Sequence, residues 1–296
     1  MPDVEGDVVK ATLDCLECLV AQALRAARVA TDDPVLQREI LNHVAAQVPS
    51  CDLGKSPGEL SLVIYETVRA VTGIADPYRA IKRAQNEAAL ALEPELRALV
   101  AGAADPLAAA LYLSAAGNII DLGVRHNGGI DVRATVEEVM REGFAINHTE
   151  ALRDSLARSR DLVFLLDNAG EIVFDKILIE ELLKHTRVTA VVKAAPILND
   201  VLREDAEQVG LASLCEVIDN GGAFIGSPLG LVPPAFVDRL RRADMLVAKG
   251  QGNYETLDEF PGDVFLILRA KCEAIAAHMG VKYGQVALIS TRMKHA

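Results

Sequence analysis

The sequence predicts an α/β protein: a three-layer α/β/α, Rossmann-like and mainly parallel sheet, with an all-helical region N-terminal to it. Two observations carry this expectation. Up to about residue 160 the chain is punctuated by helix-start signals, and after Arg160 short apolar runs alternate with amphipathic stretches. Strands that alternate with helices imply βαβ units and a parallel sheet. No repeat, low-complexity segment or Gly/Ser linker separates the halves, so the helical part is expected to pack on the α/β part. The division falls at residues 1–155 and 156–296.

In the first half, Asp or Ser followed by Pro recurs at Asp33-Pro34, Ser56-Pro57, Asp76-Pro77 and Asp105-Pro106. Pro is favoured at the first helical position and a short polar side chain just before it, where it accepts from unpaired backbone N–H groups. Ser56 has Glu59 three residues on, the pattern of a capping box. Further starts are expected at Thr135 and Thr149, and Pro94 is expected to break or kink the stretch between Pro77 and Val100. In the second half the apolar runs Leu162–Leu166, Val188–Val192, Glu216–Ile218, Met245–Ala248, Val264–Leu268 and Val286–Ile289 read as strands. The i, i+3, i+4 spacings between them read as helices.

The totals bound the function. At 296 residues and 51% hydrophobic content, with a mean hydropathy of +0.22, the chain can build a large core. A net charge of −12 argues against a general nucleic-acid binder, since phosphate backbones are held by basic surfaces. No apolar run approaches the ~18 residues of a membrane span, and the N-terminus has no signal-peptide pattern, so neither a membrane nor a nucleic acid is expected as partner and the cytoplasm is the expected location. The five cysteines are an odd count without an export signal, which points to reduced thiols. Cys15 and Cys18 lie at i, i+3 on a helix face. Buried free cysteines are the expected outcome, with a soft-metal site including Cys272 or a redox pair as alternatives.

Polar residues follow the strands in a telling order. Asp167-Asn168 comes after the first, Lys193 and then Asn199-Asp200 after the second, Asp219-Asn220 after the third, and Lys249 with "GQGN" after the fourth. Any one pair is an ordinary turn former. A parallel sheet, however, brings the carboxyl ends of its strands to one edge, where ligands bind in open α/β folds. Hard oxygen donors gathered there suit Mg²⁺ or Mn²⁺, and a lysine beside them suits an anionic substrate. The glycines of "GQGN" permit the close backbone approach of a phosphate cradle. There is no G-x-G-x-x-G, P-loop or G-x-S-x-G signature. "DNAGE" begins like an aspartyl phosphatase loop, yet Ala169 stands where a second Asp would serve as general acid, which casts Asp167 as a ligand.

The ordered motifs "LLDNAGE" (165–171), "ILND" (197–200) and "AKGQGNYE" (248–255) resemble the metal-dependent damage-control phosphatases, catalogued as domain of unknown function 89. "GNIIDLG" (117–123), "CLEC" (15–18) and "RAKCEAIAAHMGV" near the C-terminus extend the resemblance over nearly the whole chain, toward a microbial branch with an N-terminal CxxC. The resemblance implies one divalent cation (Mn²⁺, Mg²⁺, Co²⁺ or Ni²⁺) and hydrolysis of small phosphomonoesters, such as sugar phosphates or damaged phosphometabolites. It implies Asp167, Asn168 and Asp200 as metal ligands and Asp167, Asp200 and Lys249 as the catalytic set. Lys249 would hold the phosphate, Gly250, Gly252 and Asn253 would line the substrate loop, and Asn118 and Asp121 would line the pocket from the helical side. Asp200 or a metal-bound hydroxide is left as the general base. The rival readings are an S-adenosylmethionine-dependent carboxyl methyltransferase and a non-catalytic phosphometabolite-binding protein.

Overall fold

The computed structural model describes residues 9–117 and 132–294. Within them the helices α1 (Leu13–Ala30), α2 (Pro34–Gln47), α3 (Pro57–Thr72), α4 (Arg79–Ala101), α5 (Pro106–Gly117), α6 (Val132–Glu142) and α7 (Thr149–Arg158) precede the first strand. The caps read from sequence do their local work. Asp33 accepts from Val35 N–H at 2.8 Å, and Ser56 and Glu59 form the reciprocal box. Two starts shift. Asp76 turns its carboxylate onto Tyr78 N–H, so α4 begins at Arg79, and α6 begins at Val132, ahead of Thr135. Pro94 does not end α4: it lies exposed on the outer side, while Ala89, Leu96 and Val100 bury the inner one. A carbonyl freed on the wet side of a helix is satisfied by water.

Six strands follow: β1 (Asp161–Leu165), β2 (Arg187–Val192), β3 (Glu216–Asp219), β4 (Met245–Lys249), β5 (Val264–Arg269) and β6 (Val286–Ser290). They form one sheet in the order β3-β2-β1-β4-β5-β6, parallel except for β6, which runs antiparallel to β5. The helices α8 (Glu171–Leu183), α9 (Arg203–Gln208), α10 (Pro234–Arg242), α11 (Gly250–Leu257) and α12 (Glu273–Met279) lie between strands, and α13 (Thr291–Lys294) follows the last. The strands are apolar without alternation because helices cover both faces.

Which helices cover which face explains their composition. One core joins α4, α5 and α8 to the sheet face that carries Met245 and Val247; the other joins α10, α11 and α12 to the face that carries Leu246 and Ala248. Helix α8 is buried nearly all round because α4 and α5 lie over it: its apolar residues face every side, and its buried Glu171, Asp175 and Lys176 are held in ion pairs. The helical half is therefore not one layer. Its α4 and α5 share a core with α8, whereas α1, α2 and α3 make a small bundle of their own. Ile197, Leu198 and Ile225 pack on that bundle from loops beyond the strand ends, which places it over the carboxyl edge of the sheet. No helix among the described residues is long and apolar enough to cross a membrane.

Candidate functional site

The strand order reverses between β1 and β4, and in doubly wound sheets the crevice at that point is where ligands sit. Asp167 and Asn168 leave β1 there. Asp200 arrives from the loop after β2, and the two loops are zipped together by backbone hydrogen bonds. Ala169 N–H donates to Asn199 O and Val201 N–H to Asp167 O, both at 2.9 Å, making a bridge between Asn168 and Asp200. Asp167, Asn168 and Asp200 all line one cavity of about 920 Å³.

The carboxyl of half-buried Asp167 is pushed well above the ordinary carboxylate range, first by burial and then by the charges of Glu171 and Asp200. Asp200 is also pushed up by burial, against the opposing pull of Lys193, whose Nζ lies 3.5 Å from it. Asn168 commits its amide hydrogens to Asp167 Oδ2 at 2.7 Å and to Glu171 Oε2 at 3.4 Å. Its carbonyl oxygen remains as an acceptor. The site thus presents two carboxylates and an amide oxygen, hard donors that fit a divalent cation. Among the described residues no group of three His, Cys, Asp or Glu side chains is arranged to hold a metal, so the fit depends on the amide. Beside it, Gln85 is 7% exposed on the cavity wall, and its Oε1 has no hydrogen-bond partner among the described residues.

Gly250 makes this arrangement possible. It has φ +81°, and a Cβ built there would lie 1.9 Å from Asp167 Oδ2. Only glycine lets Asp167 rest against the start of α11. Gly252 lines the cavity, and its own Cβ would meet Ile225 at 2.7 Å.

Lys249 is placed differently from the sequence reading. Along β4 it falls on the same face as Met245 and Val247, under α8 rather than over the cavity. Fully buried, its Nζ donates to Asp175 Oδ1 at 2.5 Å, Glu171 Oε1 at 2.6 Å and Ser114 O at 3.0 Å. Burial disfavours the ammonium, but Asp175 and Glu171 outweigh it and hold its pKa above the usual value. These three acceptors commit all three ammonium hydrogens, and the contacts place Lys249 below the ligand loop. Among the described residues Lys10, Arg25 and Lys271 are cations that line the cavity, and of these Lys271, exposed after β5, lies close enough to favour the ionised forms of Asp167 and Asp200. The rule that singled out residues after the first four strands finds it once extended to the fifth.

Other expectations resolve as follows. Asn253 is 1% exposed and spends its amide on Lys249 O, Leu166 O and Ser227, which makes it a fastener of α11. Asp219-Asn220 forms a turn at the end of edge strand β3, with Asp219 accepting from Gly221 N–H, and takes no part in the cavity wall. Asn118 and Asp121 lie outside the described residues. Cys15 and Cys18 are not core residues: α1 buries Leu19, Ala23 and Ala27, and turns Cys15, Cys18, Gln22 and Arg25 toward the cavity. Cys272 lines the same cavity, and all three are free thiols. Glu255, missed by the sequence reading, is a buried carboxylate on the cavity wall that accepts from Gly58 N–H at 3.1 Å and from Gln251 Nε2 at 2.9 Å. It ties α11 to the start of α3, and burial lifts its pKa to about 7.

Fold and site together define an α/β protein of Rossmann strand order with an acidic, oxygen-rich cavity at its switch point. A model of the damage-control phosphatase ARMT1-like domain matches residues 11–286, and the chain belongs to that family. It is 32% identical over 279 residues to a damage-control phosphatase of Archaeoglobus fulgidus, covering 92% of this chain and 96% of that one. It is 30% identical over 301 residues to a damage-control phosphatase of Pyrococcus horikoshii, covering 97% and 100%. A crystal structure of a DUF89 family protein from Pyrococcus horikoshii matches with a TM-score of 0.88 and 29% identity, over 95% of this chain and 99% of that chain.

Proposed function

We propose that this protein is a divalent-metal-dependent phosphatase acting on small phosphomonoesters, sugar phosphates or damaged phosphometabolites among them. The observation that carries the reading is the convergence of Asp167, Asn168 and Asp200 on one cavity through the bridge between their loops. The relatives named damage-control phosphatases support the reaction class.

Asp167, Asn168 and Asp200 would hold the cation, which when bound supplies Lewis acidity to a phosphate oxygen and lowers the pKa of a water. The chain's own residues do the rest. Lys271 offers an ammonium at the cavity wall to offset charge on the phosphate oxygens, the task first assigned to Lys249. Lys193 steadies Asp200 in its ionised form, and its Nζ also donates to Gly226 O at 2.6 Å. Lys249 offsets part of the charge of Glu171 and Asp175, and Glu171 in turn accepts from the amide of Asn168. Helix α1 roofs the cavity, limiting bulk water and substrate size.

A panel of sugar phosphates and phosphorylated cofactors, assayed with Mg²⁺, Mn²⁺, Co²⁺ and Ni²⁺, tests this reading. The parent should show metal-dependent release of phosphate that chelation abolishes, and Asp167→Ala and Asp200→Ala should each lose it while remaining folded. Turnover that survives chelation, or either variant working at the parental rate, contradicts the proposal.

A further inference from the structure

Helix α4 places a polar stripe where its apolar face should run. Lys82, Gln85 and Asn86 stand at i, i+3 and i+4 ahead of Ala89, and all are buried. Such positions are costly unless every polar group finds a partner. Asn86, which is 0% exposed, finds three. Its Oδ1 accepts from Gly170 N–H at 2.7 Å, and its Nδ2 donates to Asp205 Oδ1 at 3.0 Å and to Gln208 Oε1 at 2.8 Å.

The identity of those partners matters. Gly170 lies two residues after Asn168 and starts α8 with φ +77°. Asp205 accepts with its other oxygen from Leu202 N–H at 2.8 Å, two residues after Asp200. One amide therefore connects the exit of the Asp167-Asn168 loop to the exit of the Asp200 loop, through Gly170, Asn86, Asp205 and Leu202. The backbone bridge at Asn168 and Asp200 ties the loops at the cavity, and Asn86 ties them again on the far side.

We propose that Asn86 is a positioning residue that sets the spacing of the two loops carrying Asp167, Asn168 and Asp200, and hence the affinity of the site for its cation. This rests on the metal-dependent reading given above. Its physical basis is that ligands lose affinity steeply when the groups that orient them are removed, typically 10–100-fold for a lost outer partner. Leucine, of similar volume, cannot accept from Gly170 or donate to Asp205. Aspartate keeps the acceptor for Gly170 but turns a carboxylate toward Asp205. Exchanging the pair, as Asn86→Asp with Asp205→Asn, restores one donor and one acceptor across that contact at unchanged net charge, but it leaves Gln208 Oε1 without its donor and removes the carboxylate that lies 3.4 Å from the buried Lys82 Nζ.

The test is calorimetric titration of metal-stripped full-length protein with Mn²⁺, beside its thermal unfolding midpoint. Asn86→Leu and Asn86→Asp should bind Mn²⁺ at least tenfold more weakly than the parent. The exchanged double variant should recover part of the affinity lost in Asn86→Asp. Val44→Ala, a cavity in the separate α1–α3 core, should lower the unfolding midpoint and leave Mn²⁺ affinity unchanged, which separates general destabilisation from positioning. Parental affinity in Asn86→Leu overturns the proposal. Should that variant fail to fold, parental affinity in Asn86→Asp overturns it equally. A parent that binds no Mn²⁺ refutes instead the metal-dependent reading on which the proposal stands.

Discussion

Replacing Gly250 by alanine separates two effects that the structure predicts to coincide at one position. The residue holds φ +81°, and a left-handed conformation costs a residue with a Cβ about 1–2 kcal/mol. The new methyl would also sit 1.9 Å from Asp167 Oδ2, so that the carboxylate has to withdraw to at least 3.0 Å. That retreat of about 1 Å far exceeds the ~0.2 Å tolerance of a metal–ligand distance. Gly73→Ala supplies the control, since Gly73 has φ +71° with nothing within 4 Å of its added Cβ. Denaturant unfolding should show a loss of about 1–2 kcal/mol for Gly73→Ala and at least as much for Gly250→Ala. Mn²⁺ titration and phosphate release should separate them: Gly73→Ala matches the parent, whereas Gly250→Ala loses roughly 100-fold in kcat/KM, the scale of a 1 Å misplacement. If Gly250→Ala binds Mn²⁺ and turns over like the parent, Asp167 is not a ligand held against α11, and the reasoning fails.

Three further outcomes follow from the surrounding charges. Lys249→Met removes the buried ammonium that Glu171 and Asp175 share, and urea unfolding should register a loss of about 3–5 kcal/mol, the usual cost of breaking a buried pair. Lys271→Met should raise KM for phosphomonoesters at least tenfold with the Mn²⁺ affinity little changed, as measured by steady-state kinetics beside calorimetry; equal KM values would remove Lys271 from the phosphate site. Glu255 binds its proton more tightly folded, at about 7, than unfolded, at 4.5. Its contribution is therefore fully present below pH 4.5 and lost as pH rises through about 7, a decline of about 3 kcal/mol. Unfolding midpoints of metal-stripped protein across pH 5–8 should fall more steeply for the parent than for Glu255→Gln; parallel curves would show that Glu255 is not the group responsible.

Much of this was legible before any coordinates. The six strands were, because a strand covered on both faces has no choice but a short apolar run, and the observed boundaries differ by a residue or so. Asp167 and Asp200 stood out because they follow strands whose parallel order forces their ends together. Helix starts were legible where a cap has a single reading, as at Asp33 and Ser56, and shifted where Asp76 had a nearer donor in Tyr78. Lys249 stands out at a strand end, but the two-residue alternation of β4 sends it to the face of Met245 and Val247, toward α8 and away from the cavity. Asn86 and Glu255 escaped notice for a different reason. Their partners, Gly170 and Asp205 for one and Gly58 for the other, lie 84, 119 and 197 residues away, and only packing of α3 and α4 on the α/β half brings them near. The one local sign was three polar residues, Lys82, Gln85 and Asn86, at the spacing reserved for a core-facing stripe.

The proposed chemistry depends on one divalent cation held by Asp167, Asn168 and Asp200. Anomalous X-ray scattering from crystals soaked in Mn²⁺ tests it most directly. A single strong peak is expected between these three side chains, lost in Asp167→Ala; a peak at Cys15 and Cys18 instead, or none in the cavity, rules this site out.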